Sequence, residues 1–291
     1  MSFIEGQQAK GSLDARLGIE RAGLSIDVSD ILGSPYEFLL AYPRLDQSGL
    51  QERSRSLLQL GVERLYSAGA VTVYGLPEFR VLGLGYCGLV VLARWQGRLV
   101  ALKVRRPDAG KLSLAQEARW LGMANQSGIG PRYIAHTPNF LLMSYLAGED
   151  LLSWVTCRAA AGDAARVQQV LGQLLDAGFR LDQLGLDHGN LRCVTQHAIV
   201  QGDMAQAGQG YPGGCDRVQL IDFSAASLKR RAANVTTLAQ GLWISTAIAR
   251  VVNQLFPVHK AALIERLRAY KQGRDRLRFE HLMELVLQSK G

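Results

Sequence analysis

Three glycines and one lysine have the types and spacing to handle phosphate. Gly83, Gly85 and Gly88 fall in the pattern G-x-G-x-x-G-x-V, which Val90 completes. With no Cβ in the way, a backbone of this kind brings its N–H groups close to phosphate oxygens. Lys103 stands further on in an apolar run, bracketed by Leu102 and Val104. An ammonium there is costly to bury unless paired, and it can neutralise the same phosphates. The chain holds 31 glycines, so the glycine spacing alone is a weak signal. A polar loop, Asp187-His188-Gly189-Asn190-Leu191-Arg192, and the pair Asp222-Phe223 at the end of an apolar run add carboxylates further along.

The elements around these residues follow from periodicity. Two apolar, β-branched runs flank Gln96-Gly97, which predicts an antiparallel hairpin that carries the glycine loop at one end and Lys103 in its second strand. Strands are expected at Val71 to Tyr74 and Phe79 to Leu84 before it. A helix over roughly Lys111 to Asn125 follows, with Leu114, Ala118 and Leu121 on one face and Glu117 beside that face. Two more strands, Tyr133 to Ala135 and Phe140 to Tyr145, turn at Pro138-Asn139, and Met143 to Gly148 runs into a connector. Upstream, residues 1–68 read as a helical N-terminal extension, with a short apolar piece at Tyr36 to Tyr42. An amphipathic helix in that extension runs from Asp46 to near Ser67.

Beyond Glu149 the pattern is mainly helical. Val167, Val170, Leu171, Leu174, Gly178 and Leu181 outline a long amphipathic helix fraying near Gly185. The polar loop at Asp187 comes next. Short strands at Ala198 to Val200 and Val218 to Ile221 are separated by a glycine-rich loop. Asn234 is placed to N-cap one buried helix running through Leu238, Trp243, Ile248 and Leu255. Two amphipathic helices, near His259 to Lys271 and Arg276 to Ser289, close the chain.

Composition narrows the class. A hydrophobic content of 48% and a charged content of 20% are those of a folded globular chain rather than a disordered one. Cys87, Cys157, Cys193 and Cys215 form no C-x-x-C pair, so neither a zinc site nor a disulfide framework is indicated. No leader at Met1 to Gly11 and no membrane-length apolar run is apparent, which makes a reducing, cytoplasmic setting the expectation. The net charge of +8 favours polyanionic partners, RNA among them.

Taken together and in order, these parts resemble the protein-kinase-like superfamily from about Val71 to Phe256. Gly83, Gly85, Gly88 and Val90 match its phosphate loop, and Lys103 in Ala-Leu-Lys-Val matches its strand lysine. Glu117 matches the helix partner of that lysine, Met143 to Gly148 (with Met143 and Tyr145 as nucleotide contacts) the hinge, and Asp222-Phe223-Ser224 the metal-binding D-F-G. More narrowly, Asp187-His188-Gly189-x-Leu191 and the run from Ile221 through Arg230-Arg231 to Asn234-Val235-Thr236 are similar to a prokaryotic group of minimal, RIO-like Ser/Thr kinases. The resemblance implies an α+β, bilobal fold: a small antiparallel β lobe with one helix at 69–147 and a reduced helical lobe at 148–291. It also implies ATP with Mg²⁺ or Mn²⁺ as cofactors, a protein hydroxyl as acceptor, and Asp222 as metal ligand.

One departure bears on mechanism. Asn190 stands where the family places the aspartate that orients the acceptor hydroxyl. Asp187 is the loop's one carboxylate, and either it takes over that role or it anchors the loop through backbone N–H groups. With two residues inserted His197 occupies the position of the family's second metal ligand, and without them Thr195 does. Arg230 and Arg231 either grip a phosphate or acidic substrate or form a solvated turn. Three functional readings follow: an ATP-dependent Ser/Thr kinase, an ATP-binding pseudokinase acting as a scaffold, and a small-molecule kinase of the same superfamily.

Overall fold

A computed structural model describes residues 24–44, 47–202 and 216–287 of the 291-residue chain. The expectations for Met1 to Gly11, Asp46, Ser289, and Cys215 with most of its glycine-rich loop lie outside these residues. The protein is a mixed α+β chain with antiparallel sheets. It divides into two compact units, one of residues up to Ala118 with Arg132–Tyr145, the other of Arg119–Pro131 with Leu146 onward.

In the first unit, β1 (Ser25–Asp27) precedes α1 (Phe38–Ala41), α2 (Gln47–Gln59) and β2 (Val62–Tyr66). Next come β3 (Val71–Val73), β4 (Leu76–Val81), β5 (Gly83–Leu84), β6 (Gly88–Trp95) and β7 (Arg98–Arg105). Helix α3 (Ala115–Gln126) starts in this unit and ends in the other, and β8 (Tyr133–His136) and β9 (Phe140–Ser144) complete it. The main sheet runs β1-β2-β6-β7-β9-β8, with β5 paired to β6, while β3 and β4 form a ribbon of their own. The β6–β7 turn takes positive φ at both Gln96 (47°) and Gly97 (70°), the twist that a two-residue hairpin requires.

Alternation along the strands separates two faces. Leu89, Val91, Ala93, Val100, Leu102, Val104, Phe140 and Leu142 point into one hydrophobic core. Val28, Ile31, Leu39, Leu40, Leu50, Leu57 and Leu65 join that same core. The described part of the expected helical extension is therefore built into the sheet unit and is not purely helical. Its long helix stops at Gln59, and Val62–Tyr66 pairs with β1 on one side and β6 on the other, with Val62, Leu65 and Tyr66 buried. Buried Arg53 ties α2 to the sheet, donating to the carbonyls of Leu40 and Arg105 and to Asn139 Oδ1.

The second unit contains β10 (Glu149–Asp150), α4 (Leu151–Ala160), α5 (Ala164–Gln183), β11 (Ala198–Gln201) and β12 (Arg217–Leu220). Four helices follow: α6 (Asn234–Gln240), α7 (Ile248–Leu255), α8 (Lys260–Gly273) and α9 (Arg276–Val286). Strands β10, β11 and β12 make a three-stranded antiparallel sheet. The amphipathic stripe of α5 is buried from Val167 to Leu181, as its spacing predicts. The single buried helix expected after Asn234 is instead broken. A π-helical turn at Gly241–Ser245 continues α6, and the stretch Asn234–Ser245 then meets α7 at a bend of 86°. The Thr246 hydroxyl donates to the Gly241 carbonyl at 2.6 Å and that of Ser245 to Gln240, satisfying backbone acceptors that a continuous helix would have used. Among the described residues no single helix is long and apolar enough to cross a membrane.

Candidate functional site

The first unit positions its candidates by register. Val90 pairs with Lys103 and Lys103 with Leu141, while Ala101 pairs with Met143. With a side-chain period of two, Val90, Lys103, Leu141 and Met143 share the face opposite the hydrophobic core. Glu117, in the first turn of α3, reaches this face, and Lys103 Nζ donates to its Oε1 at 2.6 Å. Both side chains are about 5% exposed, so the pair is a buried one. Burying both charges is offset by their attraction only when the geometry is good, and a buried ion pair on a strand face is not what a solvated surface lysine would show.

The glycines are not equivalent. Gly88 lies where a Cβ would collide with the Val104 carbonyl oxygen, so it is required for β6 to sit against β7. A Cβ on Gly83 would meet no atom within 4 Å, and one on Gly85 would touch only the Gly88 carbonyl at 3.8 Å. Their packing does not demand glycine, and the space beside their backbone is open to a ligand. Arg106 braces the loop, its N–H donating to the Cys87 carbonyl and its guanidinium to that of Gly85. Tyr145, also a hinge candidate, is a partly buried phenol whose pKa burial raises.

In the second unit the polar loop is held from three sides. Asp187 exchanges main-chain hydrogen bonds with Ser227 at 3.0 and 2.8 Å, and Arg230 Nε donates to its Oδ2 at 2.6 Å. Gly189 has φ +87°, and a Cβ there would lie 2.6 Å from the Ala225 carbonyl oxygen, so no other residue fits. The His188 N–H donates to Asn234 Oδ1 at 2.9 Å. Asn234 in turn donates from Nδ2 to the Leu186 carbonyl at 2.8 Å and to Asp182 Oδ1 at 2.9 Å.

Asp182 is the fixed point of this network. It also accepts from the main-chain N–H groups of Asn234 (2.8 Å) and Val235 (3.3 Å) and from the Tyr270 hydroxyl (2.9 Å). Burial raises its pKa, and these four donors pull it back down. Asp182 thus caps the start of α6 from another helix. Asn234, expected as the N-cap, is the first residue of α6 and works as a clamp on the loop.

The His188 ring is fully buried against Phe223, with ring centres 4.8 Å apart, and lies 6.0 Å from the His197 ring. Burial, with the neighbouring His197, pushes its pKa down to about 4, against smaller pulls from Asp222, the Ile221 main chain and Asp187. His188 is therefore neutral near pH 7. His197 belongs to the same corner, because its carbonyl accepts from the Ile221 N–H at 2.9 Å. Asp222 follows directly, in a left-handed conformation (φ 63°) with its Oδ1 accepting from the Ser224 N–H at 3.2 Å. Asn190 makes no side-chain hydrogen bond among the described residues; only its main chain is used, accepting from the Cys193 N–H.

Within each unit, then, the residues singled out in the sequence lie together: the glycine loop, Val90, Lys103, Glu117 and Met143 in the first, and Asp187, Asn190, His197 and Asp222 around one corner of the second. Among the described residues no three His, Cys, Asp or Glu side chains gather as a ready metal cluster. Mg²⁺ is commonly held by one or two carboxylates plus phosphate oxygens and water, and Asp222 suits that pattern better than imidazole does. Sequence reasoning overlooked Asp182 and Tyr270. The available signal was a carboxylate on the apolar stripe of α5, right after Leu181, where an unpaired charge could not be buried.

Compared with the profiles of known protein families and with curated protein sequences, the chain matches none.

Proposed function

We propose that the chain is an ATP-dependent phosphotransferase of the protein-kinase-like, bilobal plan, nearest to minimal RIO-like Ser/Thr kinases and using Mg²⁺ or Mn²⁺. The observation that carries this reading is the buried Lys103–Glu117 pair on the sheet face beside the glycine loop. In this reading the backbone of Gly83 to Gly88 holds phosphate oxygens and Lys103 neutralises them, held in place by Glu117. Asp222 holds the divalent ion. When bound, ATP and its metal supply the γ-phosphoryl group and stabilise charge on it. Phosphoryl transfer asks the protein chiefly for positioning and charge stabilisation, so an amide at position 190 does not by itself preclude turnover. Asp187 orients the acceptor hydroxyl, supported by being the loop's carboxylate and by the main-chain pairing with Ser227 that holds it.

The ion pair between Asp187 and Arg230, with an amide at Asn190, favours a second reading, a nucleotide-binding scaffold without transfer. Incubation with γ-labelled ATP and divalent ion, followed by mass spectrometry of the products, separates the two. The kinase reading expects label on a Ser or Thr hydroxyl from the wild-type chain and none from Asp222→Gly. Absence of transfer with nucleotide binding intact overturns it in favour of the scaffold.

A further inference from the structure

We infer that the segment Leu228–Arg231, with Lys271, is the docking surface for an acidic polypeptide, the acceptor class of the proposed kinase. The inference rests on the phosphotransferase reading for its biological sense but not for its binding chemistry. The segment leaves the Asp187–Ser227 pairing and presents Lys229, Arg230 and Arg231 in succession, all exposed. Two of the three cations are held in place. Arg230 is pinned through Nε to Asp187 and through Nη2 to the Ala225 carbonyl at 2.5 Å, which leaves Nη1 without a hydrogen-bond partner among the described residues. Arg231 is tied through Nη2 to the Lys271 carbonyl at 2.9 Å, which brings the exposed last turn of α8, with its lysine, beside the segment.

Guanidinium groups already fixed in place lose little freedom on binding and match the fork of a carboxylate or phosphate. Of the four cations, Arg230 alone has a carboxylate partner among the described residues. Leu228, 43% exposed, stands at the start of the segment and offers an apolar contact next to the charges.

A cationic patch also attracts RNA, but single-stranded RNA needs aromatic platforms on which bases stack. Among the described residues the large exposed aromatics are Tyr74 and Tyr86, and both belong to the other unit. An acidic peptide with an apolar residue fits the combination of fixed arginines and Leu228 better. Carboxylates and phosphoserine share the oxyanion chemistry, and the test includes both.

The experiment is fluorescence anisotropy of the full chain with four labelled probes. These are a short Glu-rich peptide holding one Ser and one Leu, its Gln-substituted counterpart, its phosphoserine counterpart, and a single-stranded RNA. The acidic peptide is expected to bind at least about tenfold more tightly than the Gln peptide, with affinity falling as salt rises. The variant K229Q/R231Q is expected to lose at least about tenfold of that affinity. K271Q, which removes a side chain that makes no hydrogen bond among the described residues, is expected to weaken binding in the same direction and guards against misfolding of the double variant. Tighter binding of the phosphopeptide identifies a phosphate monoester as the preferred oxyanion. Equal binding of the Gln peptide, tighter binding of RNA, or unchanged affinity in both variants overturns the proposal. Binding lost in these variants by a chain that transfers no phosphate upholds the surface while removing the kinase reading. Transfer by a chain whose variants bind normally removes the surface alone.

Discussion

Replacing Asn234 by alanine removes the clamp on the Asp187–Asn190 loop, and the cost follows from what is left behind. The amide bonds three groups: the His188 N–H, the Leu186 carbonyl and Asp182 Oδ1. Asp182 keeps the main-chain N–H groups of residues 234 and 235 and the Tyr270 hydroxyl, so its loss is small. The His188 N–H and the Leu186 carbonyl have no other hydrogen-bond partner among the described residues, in a region where Asn234 is 1% exposed and His188 and Leu186 are not exposed at all. Each buried group left unsatisfied costs about 1–3 kcal/mol. A loss of about 2–5 kcal/mol follows, somewhat below the simple doubling because water can enter the space vacated. Urea unfolding of the wild type and Asn234→Ala, followed by far-UV circular dichroism, reads this as a lower midpoint at an unchanged slope. A loss below about 1 kcal/mol would show that the network does not hold the loop.

Three further outcomes are expected. Glu117→Leu removes one half of the buried ion pair and costs about 3–5 kcal/mol, whereas the double variant Lys103→Met/Glu117→Leu recovers most of that stability. Equal stability of the single and double variants in urea would contradict the pairing. Asp182→Asn tests the raised carboxyl pKa. A group whose folded pKa is raised gives stability that is complete below its unfolded value, about 3.9, and is lost as pH rises through the folded one. The advantage of wild type over Asp182→Asn is therefore largest at the acid end and shrinks toward neutrality, and an advantage that grows with pH would refute the assignment. Asp222→Gly relieves a left-handed conformation and gives up the hydrogen bond from the Ser224 N–H, effects of opposite sign, and its stability is expected within about 1 kcal/mol of wild type. A larger loss would mean that Asp222 serves the fold rather than a ligand.

Much of the first unit was legible because its signals are local. The strand alternation around Gln96-Gly97 fixes both the hairpin and the face on which Lys103 stands, and the spacing to Glu117 follows from the helix after Pro107. The role of residues 24–66 was not legible in the same way. Leu50 and Leu57 carry helical spacing, but Val62, Leu65 and Tyr66 find their partners in Trp95, Ala93 and Leu92, far along the chain. The break between α6 and α7 was hidden for a related reason: the apolar residues continue without interruption, and only the hydroxyls of Ser245 and Thr246 mark where the helix turns. In the second unit, Asp187, His188 and Asp222 could be singled out by type. The clamp that holds their loop could not, because Asp182, Asn234 and Tyr270 come from three separate helices and meet only in the fold.

Isothermal titration of ATP into the purified chain decides whether the glycine loop and the Lys103–Glu117 pair form a triphosphate site. Saturable binding strengthened by Mg²⁺ or Mn²⁺ is expected, with a loss of at least about tenfold in affinity for Lys103→Met, since a charge-assisted hydrogen bond to phosphate is worth about 1.5–3 kcal/mol. Binding that is absent from the wild type, or that survives Lys103→Met undiminished, would contradict it.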